Sequence, residues 1–157
     1  MLSENKWIQY GYPREEKDIK CIVIHNTGNT FMSGEELFNY LENDCKTSQG
    51  CSYIVDYKGV IQVMPDNWAV YNTGKGNDYG NQFGIAIEIC DNLNDELYLE
   101  GQNKAVDLIK ELMGKYNIPS TEIFFHNDFS PRTYCPHILL DRYGTSQNFV
   151  YQEIMEV

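Results

Sequence analysis

The chain has 157 residues, 42% of them apolar and 13% aromatic, with only 5 Pro and 12 Gly. That profile suits one domain with its own core and excludes a disordered chain, a collagen-like repeat and a two-domain cofactor enzyme. With 12 Lys+Arg against 23 Asp+Glu the formal net charge is −11, so nucleic acid and anionic lipid are repelled at long range and neither is an expected partner.

The first 20 residues carry acids and no apolar run of signal-peptide length, and nowhere do about 18 apolar residues follow one another. Cytoplasmic synthesis without a signal peptide, no membrane insertion and a monomeric state are the expectations. No repeat or Ser/Pro-rich linker divides residues 1–157, which are read as one domain.

Cys21-Ile22-Val23-Ile24 is an apolar, β-branched run that reads as a buried strand, closed by His25 and the polar loop Asn26-Thr27-Gly28-Asn29. Ser33 and Glu36 form a capping box before Leu37, Phe38 and Leu41, predicting a short amphipathic helix that ends near Asp44. Tyr53-Ile54-Val55-Asp56 and Val60-Ile61-Gln62-Val63 flank Tyr57-Lys58-Gly59, a hairpin pattern with Gly59 where a positive φ costs little. Residues 72–82 are polar and rich in Gly and Asn, and read as a connection.

From Gly84 to Cys90 the pattern alternates, so Ile85, Ile87 and Ile89 share one strand face while Ala86, Glu88 and Cys90 share the other. Between Gln102 and Tyr116 the apolar residues recur at three and four, the stripe of a helix lying on a sheet, and Pro119 stops it. Ile123-Phe124-Phe125 is a second apolar run closed by a histidine, His126, and a last helix runs from near Ser146 to the end. Strands interleaved with helices, plus one hairpin, predict an α/β fold: a mixed central β-sheet flanked by α-helices.

Two of the three histidines therefore occupy the same slot, the carboxyl end of an apolar strand, and Cys135 follows His126 by nine residues in a loop stiffened by Pro131 and Pro136. Two imidazoles and a thiolate make a three-ligand set of the kind that binds Zn²⁺ and leaves a fourth position to water. Each of the three, taken alone, fits a core or loop role better, and it is their shared placement that favours the ligand reading. Glu88 is a candidate general base, since a carboxylate on an otherwise apolar strand is costly to bury, and a salt bridge or an edge-strand position facing solvent is its plain alternative.

The segments Ile22-Val23-Ile24-His25-Asn26-Thr27-Gly28-Asn29, Ser52-Tyr53-Ile54-Val55-Asp56, Gly84-Ile85-Ala86-Ile87-Glu88-Ile89-Cys90, His126-Asn127-Asp128-Phe129 and Tyr134-Cys135-Pro136-His137-Ile138-Leu139 resemble the zinc-dependent N-acetylmuramoyl-L-alanine amidases, in that family's order. This is the type found in phage endolysins, bacterial autolysins and peptidoglycan recognition proteins, and the resemblance covers about residues 19–140. It implies hydrolysis of the amide between N-acetylmuramic acid and L-alanine in peptidoglycan, with action on the cell wall after release from the cytoplasm. It also implies zinc on His25, His126 and Cys135, and catalytic assistance from Glu88.

The family's oxyanion-stabilising lysine has no direct counterpart. Counting from His126 puts Arg132 there and counting from Cys135 puts Thr133; Arg132 is preferred because a guanidinium supplies charge as well as donors. Tyr71 is matched with a cleft-lining histidine of the family, Ser52 with a histidine and Cys51 with a tyrosine. Asn26, Tyr71 and Thr133 are taken as substrate-binding residues, with turn formation the alternative for Asn26. His137 is read as no ligand, Cys90 as a buried thiol. The five scattered cysteines are expected to be reduced. Rival readings are a peptidoglycan-binding module impaired in turnover, suggested by the replaced side chains, and a cysteine peptidase using Cys135 or Cys90 with His126.

Overall fold

A computed structural model describes residues 4–5, 11–43 and 50–156. Six strands form one mixed sheet: β1 (Glu4–Asn5), β3 (Cys21–Asn26), β4 (Tyr53–Asp56), β5 (Gly59–Gln62), β7 (Gly84–Ile89) and β8 (Ile123–Phe125), in the spatial order β1-β5-β4-β7-β3-β8. β4 and β5 pair antiparallel, and the other neighbours run parallel. A two-stranded ribbon of β2 (Tyr12–Pro13) and β6 (Trp68–Ala69) lies apart from it.

The continuous apolar run of β3 follows from its position. Flanked by β7 and β8 and covered on both faces, all six of its residues are buried. On one face of the sheet Ile22, Ile24, Ile85, Ile87 and Ile89 pack with Ala105, Leu108, Ile109 and Leu112 of the long helix α3 (Asp95–Tyr116). Each fully buried side chain of that size contributes roughly 1.5–3 kcal/mol. On the other face Ala86 and Cys90 pack with Phe38 and Leu41 of α1 (Gly34–Asn43). The alternation read along β7 is thus the division between the two cores.

The Ser33–Glu36 box caps α1, with Glu36 Oε2 accepting from Ser33 N–H at 2.7 Å and Ser33 Oγ accepting from Glu36 N–H at 3.3 Å. Asp44, the expected end of that helix, and Cys45 lie outside the described residues. The β4–β5 turn works differently from the sequence reading. Gly59 is near-extended, at φ 159°, and it is Asp56 Oδ1 that makes the turn, accepting from the Lys58 and Gly59 N–H groups.

α3 begins seven residues before its expected start. Asn94 caps it by accepting from the N–H groups of Glu96 and Leu97, and Gly101, which weakens the helical signal, allows close approach to the backbone of Asp56 and Tyr57. A short helix α2 (Tyr79–Phe83), capped by Asp78, interrupts the polar stretch. Beyond β8 come α4 (His126–Phe129), α5 (His137–Tyr143) and α6 (Ser146–Phe149), the last passing into a π-helical turn at Val150–Met155. No helix among the described residues is long and apolar enough to cross a membrane.

Candidate metal centre and cleft

Strand register builds the site. β3 and β8 run parallel with Ile24 opposite Phe125, so the residues that follow, His25 and His126, emerge side by side, their ring centroids 4.7 Å apart. On the other side of β3, His25 is the register partner of Glu88 on β7, and Glu88 Oε1 lies 3.9 Å from His25 Nδ1. Cys135 reaches the same point, its sulfur 3.7 Å from His25 Nδ1. One ligand-type atom from each of His25, His126 and Cys135 fits within 4.8 Å of the others.

Asn26 brings the cysteine loop in. Its Oδ1 accepts from the N–H groups of Ile138 (3.0 Å) and Leu139 (3.4 Å), at the start of α5, and its Nδ2 donates to Tyr98 Oη (3.0 Å) and Ile89 O (3.3 Å). All its hydrogen-bonding capacity is used internally, so Asn26 is a structural clamp between β3, α3 and α5 rather than a substrate contact. A further bond, Asn127 N–H to Cys135 O at 3.0 Å, ties the loop to α4.

Electrostatics suit a cation. Burial, and secondarily the neighbouring His126, pushes His25 down to about 3, and burial also lowers His126, so both rings are neutral and carry lone pairs. Burial, then Glu88, pushes the Cys135 thiol up to about 12. Burial, then Asp91, raises Glu88 to about 8, and Glu88 Oε2 is buried without a hydrogen-bond partner. An orphaned carboxylate oxygen and a deprotonatable sulfur beside two bare imidazole nitrogens are what a divalent ion accepting nitrogen and sulfur donors compensates. The residues fit such an ion.

The cluster lines a cleft of about 480 Å³ together with Leu37, Tyr40 and Leu41 of α1. Tyr71 and Thr133 line it, as expected, and so does Cys51. Arg132 does not. The Ser130–Thr133 turn, closed by Thr133 N–H to Ser130 O at 2.8 Å, leaves Arg132 exposed and outside the lining, unlike Thr133, and this does not favour the preference for Arg132. Ser52 Oγ accepts from Ala86 N–H at 3.1 Å and is a strand-bridging group. His137 pairs with Asp91 at 3.1 Å and is not one of the clustered ligand-type residues, and Cys90 is a buried thiol of the α1-side core. Cys21, Cys51, Cys90 and Cys135 are free.

Sequence reasoning missed Asn72, which lines the cleft and whose Oδ1 sits 2.9 Å from His25 Nε2. Tyr71, matched with a histidine of the family, does not meet His25 in this way; the next residue does. Nothing local singled out Asn72 within a polar stretch, because the partner is 47 residues away.

A mixed sheet carrying a His/His/Cys cluster beside a carboxylate, open to a cleft, defines an α/β protein with a donor set that could hold a metal. The comparisons make the class specific. The family model described as N-acetylmuramoyl-L-alanine amidase matches residues 15–138, and the chain belongs to that family. It is 32% identical over 143 residues to the N-acetylmuramoyl-L-alanine amidase XlyA of Bacillus subtilis (strain 168), covering 84% of this chain and 47% of that protein. Against CwlA of Bacillus sp the figures are 34% over 122 residues, 76% and 47%. The chain therefore spans about half the length of the curated relatives it matches. Among solved structures, PlyL aligns with a TM-score of 0.81 at 30% identity, covering 90% of this chain and 91% of that one. The catalytic domain of XlyA aligns with a TM-score of 0.78 at 28% identity, covering 91% and 96%.

Proposed function

We propose that this chain hydrolyses the amide between N-acetylmuramic acid and L-alanine in peptidoglycan, with Zn²⁺ held by His25, His126 and Cys135. The observation carrying the proposal is the convergence of those three side chains beneath Glu88 in a cleft, in a chain of this family. Zinc suits two nitrogens and one sulfur, and when bound it supplies Lewis acidity toward a carbonyl and toward water.

The chain's own groups supply the rest. Glu88 Oε2, with no partner of its own, accepts the proton of the attacking water. Returned from that oxygen to the departing alanine nitrogen, the same proton lets the amide C–N bond break as an amine leaves. Thr133 can donate a hydrogen bond to the developing oxyanion but brings no charge, which marks the main departure from the family pattern. Leu37, Tyr40 and Leu41 offer an apolar wall to the substrate.

Cell walls incubated with the chain should yield new N-terminal alanine, abolished by chelator and restored by Zn²⁺. Sedimentation with the wall without alanine release would favour the binding-module reading, which the absence of Arg132 from the cleft lining supports. The peptidase reading has less behind it: a nucleophilic thiol needs electropositive surroundings, whereas Cys135 has Glu88 and Asp91 as its charged neighbours and Cys90 is buried in the core.

A further inference from the structure

Behind the two imidazoles runs the loop that leads from β6 to α2. Asn72, Thr73 and Asn81 are 8%, 0% and 1% exposed, and three buried polar side chains in so short a polar segment call for a reason. Asn72 Oδ1 lies 2.9 Å from His25 Nε2, and an amide oxygen only accepts. The amide is held in that orientation by its other end: Asn72 Nδ2 donates to Val70 O at 3.0 Å and to Asn81 Oδ1 at 3.2 Å. His25 Nε2 therefore carries the hydrogen, and Nδ1, which faces the Cys135 sulfur, keeps a bare lone pair.

The next residue acts on the second ring. The Thr73 carbonyl accepts from Ser130 Oγ, and the Thr73 backbone acts on the His126 ring, favouring its protonated form against the effect of burial. Asn81 ties the two together: its Oδ1 accepts from the backbone N–H groups of Asn72 (2.7 Å) and Thr73 (3.1 Å), while its Nδ2 donates to Gly76 O (2.9 Å). Asp78 completes the loop, accepting from Asn81 N–H and from Thr73 Oγ1.

We propose that Asn72 is a positioning residue of the metal centre, whose side-chain oxygen selects the His25 tautomer that turns a bare Nδ1 toward the ion. The inference rests on the reading of His25, His126 and Cys135 as ligands. A neutral imidazole otherwise exchanges between two tautomers, one of which blocks the ligand atom with hydrogen, so selection removes a competing state before the metal arrives. Asn81 locks the selecting group in place through both backbone amides and the side chain of Asn72.

Imidazole ¹⁵N–¹H spectra of the metal-free full chain at neutral pH read the tautomer directly, and competition with a chromogenic chelator reads Zn²⁺ affinity. The parent should show His25 protonated at Nε2, with a proton slow to exchange with water. Asn72→Leu, similar in shape but without an acceptor, should lose that slow proton and weaken Zn²⁺ binding about ten- to hundredfold. Asn72→Asp keeps an accepting oxygen but gives up both Nδ2 donations, and should retain the proton and bind Zn²⁺ at least as tightly as the parent. Three results overturn the inference: a parent protonated at Nδ1, a Leu variant with parental affinity, or an Asp variant weakened as far as the Leu variant, which would make loop shape the cause. If the Leu variant does not fold, the parent spectrum and the Asp variant decide. A chain that shows the protected proton and holds Zn²⁺ but frees no alanine from cell walls would count against the amidase reading and leave the role of Asn72 standing.

Discussion

At the residue scale, Glu88 carries the clearest conflict between stability and chemistry. Its raised pKa means that the folded chain holds a proton between about 4.5 and 8 that the unfolded chain has released. Metal-free stability contributed through this group is thus complete below about 4.5 and lost as pH rises through 8. Glu88→Gln should make the metal-free chain more stable than the parent at pH 8, with the difference shrinking toward pH 5, as read by urea denaturation. The same variant should keep its Zn²⁺ and lose about 10²–10⁴ in turnover. Full activity in Glu88→Gln would remove this carboxylate from the mechanism. Thr133 and Arg132 separate just as simply: Thr133→Val should lower kcat, whereas Arg132→Ala, exposed and outside the cleft lining, should leave it within about twofold, since surface changes away from such features have small effects.

At the element scale, α5 is docked by a side chain from a strand more than a hundred residues earlier. Asn26→Ala removes the acceptor for two N–H groups at the start of α5 and the donor to Tyr98, a change expected to cost about 1–3 kcal/mol in chemical denaturation. It should also weaken Zn²⁺ binding, because the Cys135 loop is held by the same clamp. Unchanged metal affinity would show that the loop is positioned without it. The difference between what could and could not be read from sequence follows this line. His25 and His126 were legible because each closes an apolar run, and parallel pairing then places them side by side whatever the detail. Glu88 was legible because strand alternation singles it out on a face of small residues. The clamp of Asn26 and the bond from Asn72 were not, since a polar residue chooses its partner through the fold and nothing local encodes one 47 or 112 residues away. α2 was hidden for a related reason: Gly80 and Asn81 disfavour helix, and the capping carboxylate of Asp78 outweighs them.

At the scale of the whole molecule, the site is assembled from β3, β7, the start of α4 and the loop before α5, so metal binding would couple to folding across residues 25–135. Zn²⁺ that binds the folded chain and not the unfolded one stabilises it by about 2.7 kcal/mol at a hundredfold excess over Kd. For a domain of this size that raises Tm by about 5–10 °C. The gain should grow with pH over the neutral range, because Cys135 is a thiol in the metal-free chain and must shed its proton to ligate, so each bound ion releases hydrogen ion to the medium. Scanning calorimetry with and without Zn²⁺ at two pH values, together with Cys135→Ser, tests all of this at once. The parent should gain more at the higher pH, and the Ser variant should gain little at either. A parent whose Tm ignores Zn²⁺ would mean that these strands converge for a reason other than a metal.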